Sequence, residues 1–598
     1  GVSLSADGRT GIVTAGAAAD PNAMVDAARR LAGPIRRAAA PGVSATLSGD
    51  SSLWADFNNA NHSAMMRSEM LSWPVTLAIL VVAFGSLVAA GLPLMLTMAG
   101  LVVAAGALVL ADRMAPVSIW ALNFALMFAM ALGIDYALFL VVRFRAAMHR
   151  RGTAPGDRPA ALDAVAETMA TAGKAVAFSA LTVLASLAAI LLVPSPAFRS
   201  MALGIMLAVV AVLAATLTLL PAVLARLGTR VDSGRVRAGR AGAAGRPHGY
   251  ALEKRLHAWA QVVWRHPVPA GLAALVVAGL AAAPVLGLRT SMPSITIIPA
   301  SANASVGYGQ VVAAFGPGAP GTLQVAVPAS SRREALAVLA RTPGVAAAVP
   351  GPSAHGWTLD QVVPATGPSS PATGVTIGRL RRALPAGSLV GGAAAENFDL
   401  QHALASRTPL VFGVLAAVGF VLLLLALGAP LIAAAGVAVT ALSVAGAFGV
   451  ARLIFQDGHL SGVLNFTPQG FVDAWGPLFF GAMVFGVAMD YTVFLLSAAK
   501  ERYEVGRDPE QAMTGSVATS GRVVISAAAV MVAVFLTFAL SGPLAPKEMG
   551  VILAVAVALD ALVVRLVLLP VLLRAGRDVI WHRPGWLDRI LPRVRFSH

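Results

Sequence analysis

The sequence predicts a polytopic α-helical membrane protein that carries small α/β domains outside the bilayer. Three observations lead there. Of 598 residues, 57% are hydrophobic and only 12% are charged, about half the charge of a soluble domain. The apolar residues fall in runs of about 20, the length a helix needs to cross about 30 Å of hydrocarbon. The runs are continuous rather than alternating, which excludes a β-barrel. The shortage of charge also excludes soluble enzymes, disordered chains and fibres. There are no cysteines, so disulfides, thiol catalysis and thiolate metal sites are excluded as well.

Eleven spans follow in order. Five lie near 73–90, 91–111, 118–142, 174–193 and 200–224, one near 268–287, and five more near 409–427, 429–453, 474–498, 523–541 and 549–573. Charge is almost absent inside them. Between 73 and 142 the only charged residues are Asp112, Arg113 and Asp135; between 408 and 499 they are Arg452, Asp457, Asp473 and Asp490.

The net charge of +16 would suggest nucleic acid in a soluble protein. Here it reads as topology. The connection 143–158 carries Arg143, Arg145, Arg150, Arg151 and Arg158 against Asp157, and residues 226–265 carry nine basic residues and two acids. With the basic tail from Arg574, these stretches share one side by span parity. Basic connections mark the cytoplasm, where they meet anionic lipid headgroups. No nucleic-acid partner is expected.

Segments 1–72 and 289–407 fall on the opposite face. Residues 322–327 and 386–391 read as strands, and 331–341 and 374–384 as helices, with Pro and Gly between them. The Gly/Arg-rich run 232–249 lacks periodicity and reads as a disordered linker. The expected boundaries are therefore 1–72, part of an outer porter domain; 73–225, helices 2–6; and 226–266, a basic, partly disordered cytoplasmic linker. Helix 7 follows at 267–288, the second outer domain at 289–407, helices 8–12 at 408–573 and a short cytoplasmic tail at 574–598.

The spans also repeat. ALGIDYALFL (131–140) matches VAMDYTVFLL (487–496), which pairs Asp135 with Asp490, Tyr136 with Tyr491 and Phe139 with Phe494. TAGK (171–174) matches TSGR (519–522), with Ser179 and Ser526 following at nearly the same distance. TLLPAVL (218–224) matches VLLPVLL (567–573), and Trp73-Pro74 and Thr408-Pro409 each open a span. Both copies run in the same direction. The second begins with a span and a full outer domain, whereas the first begins at Gly1 inside its outer domain. The expected parent has twelve helices in two six-helix halves, of which this chain holds eleven.

Asp135 and Asp490 lie about 16–17 residues into their spans, near the bilayer centre. A charged Asp there costs at least about 2.5–3.5 kcal/mol. If the two helices touch, the carboxyls form a coupled pair able to take a proton from one side and release it to the other. Neighbours on a helix are about 100° apart, so each Tyr is expected to reach the opposite carboxyl: Asp135 with Tyr491 and Asp490 with Tyr136. The phenol donates a hydrogen bond without adding charge. The plainer reading is a pair of acids that glue helices. Repetition in register favours function.

Ser179, Ser526 and Asp560 are candidate relay support, although membrane serines commonly bond their own backbone. In an α-helix Asp560 and Arg565 stand about 140° apart, so they are not expected to face each other, and Arg565 is expected to snorkel to the surface. Lys174 and Arg522 read as topology anchors. Phe139 and Phe494 read as packing, and Gly133 and Gly486 as points of close helix approach. No GxxxxGK[ST] loop, HExxH ligand spacing or hydrolase elbow is present. An ion gradient is thus the simplest energy source, with no metal or other cofactor; one proton crossing 100 mV yields about 2.3 kcal/mol.

GIDYALFLVVRFR (133–145), TAGKAVAFSALTV (171–183), GVAMDYTVFLLSAAKERY (486–503), TSGRVVISAA (519–528) and DALVVRLVLLP (560–570) resemble the MMPL branch of the RND transporters. WPVTLAILVVAFGSLVAAGLPL (73–94) resembles that family's second span. The resemblance runs from about residue 43 to 575. It implies a twelve-helix fold with two periplasmic α/β porter domains, and proton-driven antiport exporting lipids, glycolipids or other hydrophobic molecules across the bacterial plasma membrane. It also implies that Asp135, Tyr136, Asp490 and Tyr491 are the proton relay. The short outer domain leaves no room for the docking region of tripartite drug pumps, so a monomer is expected over a trimer. Its composition fits an actinobacterium. Export of a hydrophobic secondary metabolite or drug is the close alternative. A protein-secretion component or a sterol-sensing receptor is the distant one.

Overall fold

The computed structural model describes residues 2–581 except 115–116, 153, 155, 235–249, 294, 507 and 541, and only the backbone of some helical residues, among them Asp490, Tyr491 and Phe494. Most of the run read as a disordered linker and most of the tail lie outside the described residues.

The first half opens with a hairpin, β1 (Val2–Leu4) and β2 (Gly11–Val13), and helix α1 (Pro21–Ala38). The Asp20 carboxylate caps α1 by accepting from the Asn22 and Ala23 N–H groups. The membrane helices follow: α2 (Asp50–Phe84), α3 (Leu87–Asp112), α4 (Ile119–Arg150), α5 (Arg158–Thr168) running through a π-helical turn (Met169–Gly173) into α6 (Lys174–Ala188), and α7 (Pro196–Leu227). An amphipathic helix, α8 (Tyr250–Arg265), occupies part of the stretch read as linker. It lies against later helices through a bond from the Trp259 indole N–H to the Leu566 carbonyl (3.1 Å) and through Arg574 over the Trp264 ring.

The second half starts with α9 (Pro267–Ala282) and strand β3 (Thr290–Ser291), which leads into the outer domain. There follow α10 (Asn303–Phe315), β4 (Leu323–Pro328), α11 (Arg332–Arg341), β5 (Val345–Val349), β6 (Ser353–Ala354), β7 (Trp357–Pro364), α12 (Pro371–Ala383) and β8 (Leu389–Gly391). The sheet has the order β5-β7-β4-β8, with β6 on β7, and is antiparallel throughout. Alternate residues of β4, among them Leu323, Val325 and Val327, meet Leu339 of α11 and Ile377 and Leu380 of α12 in one apolar core. The strands and helices expected around 322–341 and 374–391 are present. The longest strand, β7, was not anticipated; its sequence WTLDQVVP places Thr358, Asp360 and Val362 inward.

The remaining helices are α13 (Ala393–Leu427), α14 (Pro430–Ala451) with a π-helical end (Arg452–Gln456), the short α15 (Ser461–Leu464), α16 (Gly476–Gly506), α17 (Pro509–Ala539), and α18 (Leu544–Leu559) running through a π-helix (Asp560–Leu568) into α19 (Leu569–Ile580). Strand β9 (Val472–Asp473) precedes α16 and pairs in parallel with β3. Among the described residues ten helical stretches are long and apolar enough to span a membrane. The described apolar part of α16, Gly476–Met489, is shorter, but its backbone stays helical for 31 residues.

The internal repeat is visible in the backbone. α2 and α13 are both 35 residues long, and each ends at a left-handed glycine, Gly85 (φ 67°) and Gly428 (φ 62°). Pro74 and Pro409 lie inside these helices instead of opening them, because each helix begins more than 15 residues earlier, outside the apolar run. The halves interlock beside the outer domain: Asp56 accepts from the Ala304 N–H (2.7 Å), Asn303 donates to the Leu47 carbonyl (3.1 Å), and Phe57 packs with Ile297 and Ile298.

Glycine sets how closely some helices approach. A Cβ on Gly449 of α14 would stand 1.9 Å from the Ala281 carbonyl oxygen of α9, backbone against backbone. Gly449→Ala must push the helices apart, at about 1–3 kcal/mol. The thermal unfolding midpoint in detergent should fall, while Gly413→Ala, where nothing lies within 4 Å, should leave it unchanged or raise it slightly.

Candidate functional site: the buried acids between the halves

Asp135 lies midway along α4, Asp490 midway along α16. Asp135 is 9% exposed and Tyr136 3%, in helices whose other residues are almost wholly apolar. The expected crossed pairs with Asp490 and Tyr491 involve side chains outside the described set. The flanking residues that are described define the surroundings. Gly133 faces Thr97 of α3 and Val212 of α7, so it permits close packing within its own half. Gly486 faces Val183 and Ser186 of α6, so it permits close approach across the halves. Phe139 is partly buried against the core, and Phe494 is described by its backbone alone. Ser179 and Ser526 are half-buried. Their neighbours Thr182 and Ser186 donate to carbonyls four residues back, the usual fate of membrane hydroxyls.

Toward the domain-bearing face, α4 and α16 meet through aromatic rings. The Phe124 ring lies 5.5 Å from that of Phe479 and 5.7 Å from that of Trp475, and Phe198 of α7 adds to the group. These rings form an apolar plug above the level of the aspartates. A cavity of about 10 Å³, near one water in size, lies beside it between Asn61, Asn123, Met127 and Phe538.

Asp560 and Arg565 correct the sequence reading. They do face each other. Residues 560–568 form a π-helix, whose i→i+5 repeat sets residues five apart over one another. Arg565 Nε donates to Asp560 Oδ2 (2.5 Å), and a second guanidinium nitrogen donates to the Ala488 carbonyl of α16 (2.8 Å). Arg565 is fully buried and Asp560 nearly so, so the arginine does not snorkel. The bond to Ala488 places the pair within two residues of Asp490. The sequence signal was the spacing DALVVR, but only a π-helical turn gives that spacing a shared face.

On the opposite face, Lys174 is exposed, as a topology anchor requires. Arg522 is instead half-buried and donates to the Ala83 carbonyl at the end of α2 (2.8 Å). Arg145 bonds Asp232 (2.7 Å) and the Phe84 carbonyl (2.9 Å). The basic residues there tie helix ends together.

Sequence reasoning missed a second acidic pair on the domain face, Asp473 in β9 and Glu548 in α18, both wholly buried. Burial pushes the Asp473 carboxyl up to about 7, with the Trp475 side chain partly opposing. It was legible only as one of four charged residues between 408 and 499.

The Asp560–Arg565 pair is open to test. Removing one member strands the other charge in the interior, at about 3–5 kcal/mol, whereas an uncharged double replacement is often tolerated. Asp560→Asn alone should lower the yield of folded, monodisperse protein. Asp560→Asn with Arg565→Met should recover most of it.

The chain matches the MMPL family model over residues 1–270 and 377–595. It is 33% identical over 577 residues to the mycolic acid-containing lipids exporter MmpL11 of Mycolicibacterium smegmatis, covering 92% of this chain and 58% of that protein. It is 35% identical over 559 residues to the heme uptake protein MmpL11 of Mycobacterium tuberculosis, covering 90% and 56%. It is 28% identical to the trehalose monomycolate exporter MmpL3 of the same species, covering 88% and 60%. The chain thus spans a little over half the length of these relatives. Among solved structures, SecDF of Thermus thermophilus, a translocon-associated membrane protein, superposes with a TM-score of 0.52 at 16% identity, over 88% of this chain and 63% of that one. The repeated halves, the ten membrane-length helical stretches among the described residues and the family match together make this chain a multi-pass membrane protein of the MMPL family.

Proposed function

We propose that this chain belongs to a proton-motive-force-driven exporter that moves lipids, glycolipids or other hydrophobic molecules out of the plasma membrane. The observation that carries the reading is the Asp-Tyr pair repeated in register on α4 and α16, at mid-membrane depth in both halves. The α/β domain lies outside the cell and the basic face in the cytoplasm, as basic connections dictate. Asp135 and Asp490 take protons arriving from outside and release them to the cytoplasm, while Tyr136 and Tyr491 hold the carboxyls by neutral hydrogen bonds. Asp560, anchored by Arg565, sets the local charge, and Ser179 and Ser526 extend the path. Protonation removes charge from the contact between the halves, which then pack differently. That change moves the outer domains, between which the cargo passes.

The relatives' names supply the cargo class. One is named as an exporter of mycolic acid-containing lipids and another as a trehalose monomycolate exporter. The M. tuberculosis relative named for heme uptake favours a second reading, a flat amphiphilic cargo handled by the same engine. Both cargos are amphiphiles for which a membrane-plane entrance is suited.

Asp135→Asn and Asp490→Asn should each abolish appearance of the exported lipid at the cell surface, measured by thin-layer chromatography of surface-extracted lipid, with protein level unchanged. Full export by both variants would overturn proton coupling. Saturable hemin binding, with no lipid phenotype in either variant, would favour the second reading.

A further inference from the structure

The outer acidic pair has no acidic counterpart at the matching junction among the described residues of the first half. Asp473 in β9 and Glu548 in the first turns of α18 are 75 residues apart in sequence, and both are 0% exposed. The Asp473 N–H donates to Glu548 Oε2 (3.3 Å). The second oxygen of Glu548 is buried without a hydrogen-bond partner among the described residues, and the Trp475 side chain is the donor turned toward the Asp473 carboxyl. Two ionised carboxylates in such a place would each lose their hydration and repel one another.

The surroundings do not neutralise them. Lys547, beside Glu548, is buried but donates its ammonium to the Leu464 carbonyl of α15. On the neighbouring π-helical turn, Arg452 is engaged with Asp457 and with the Pro284 carbonyl (2.7 Å). On the paired strand, Arg289 contributes backbone: its carbonyl accepts from Val472 and its N–H donates to Gln456. Residues Ile295–Ile297, also packed on α18, carry no charge. Trp475, the residue before α16, is the polar side chain brought to Asp473.

The internal repeat gives a control. In register, Asp473 corresponds to Ser118, and the helix starts Pro196 and Leu544 set Glu548 against Ser200 and Lys547 against Arg199. There the same contact is neutral: the Ser118 N–H donates to Ser200 Oγ (2.8 Å), and Arg199 turns to the Val193 carbonyl (3.2 Å). The fold therefore does not need two acids at this junction. The second half has them.

We propose that Asp473 and Glu548 form a second proton-binding site, holding one proton between them at the outer end of α16 and α18. A shared proton lets one carboxyl donate to the other, which satisfies one oxygen of each, with the Trp475 side chain left for the remaining Asp473 oxygen, and removes the repulsion. The site stands on the two helices that carry Asp490 and Asp560, roughly 20 Å toward the outside at 1.5 Å per residue. It also lies on the β3–β9 pairing that joins the outer domain to α16. Its role as the outer entrance of the relay rests on the proton-driven reading; its occupancy by a proton does not.

The test is pH-titrated infrared difference spectroscopy on the purified full chain in lipid. Wild-type protein should show a protonated-carboxyl carbonyl band titrating near neutrality. Asp473→Asn should remove it. Glu548→Gln, which deletes the like charge and keeps the shape, should move its midpoint to lower pH by at least one unit, about tenfold in proton concentration. Asp490→Asn should leave it in place. A band unchanged in both Asp473→Asn and Glu548→Gln overturns the proposal. So does a site with no such band at any pH whose protein is stabilised by sodium or calcium, since the pair would then hold a cation. If Asp490→Asn also exports lipid normally, the proton-driven reading falls while the proton site stands.

Discussion

A charge placed inside a bilayer must find its partner inside the protein, and the Asp560–Arg565 pair shows what that demands of the backbone. The hydrocarbon offers neither water nor counter-ion. An α-helix would turn the two side chains away from one another, and the chain answers with a π-helix that brings them into line. The guanidinium has donors to spare, and one reaches the Ala488 carbonyl on α16. A local ion pair thereby becomes a strut between two helices. It ties the π-helical turn to α16 two residues from Asp490.

The same economy explains the composition. Small residues line the close approaches, as at Gly486 against Val183 and Gly449 against Ala281, because helices in lipid gain most from backbone proximity. Large rings are kept for the plug around Phe124, Trp475 and Phe479, where α4 and α16 must be held apart yet sealed.

Much of this was legible in the sequence, for physical reasons that differ by element. The spans were readable because hydrocarbon imposes a length and bars charge. The repeat was readable because Asp135-Tyr136 and Asp490-Tyr491 are costly residues in the same register. Strand β4 and helices α11 and α12 were readable from alternation and period. The partnership of Asp560 with Arg565 was not, because it depends on a local departure from 3.6 residues per turn that no pattern of residue types announces. Helix α8 was hidden by its basic composition, which reads as a solvated linker until Trp259 and Trp264 are seen docked on α19 and its approach. The pairing of Asp473 with Glu548 was invisible for another reason: it is made by the fold, across 75 residues, with no motif of its own.

The distribution of acids finally argues for a direction. In the second half two acidic stations, Asp473 with Glu548 and Asp490 near Asp560, lie one below the other along α16 and α18. The first half repeats only Asp135; Ser118, Ser200 and the apolar step Ala211-Val212 stand where the other acids would be. A pseudo-symmetric scaffold with symmetric stations would offer a proton two equal routes. Placing the outer pair in one half breaks that degeneracy at the entrance, while the doubled Asp-Tyr motif keeps the centre symmetric. Under the proposed proton coupling, protons would enter beside the β3–β9 pairing, where the second outer domain joins the membrane helices. Charge change would then act at the residues that tie α16 to that domain, the shortest mechanical path between the two.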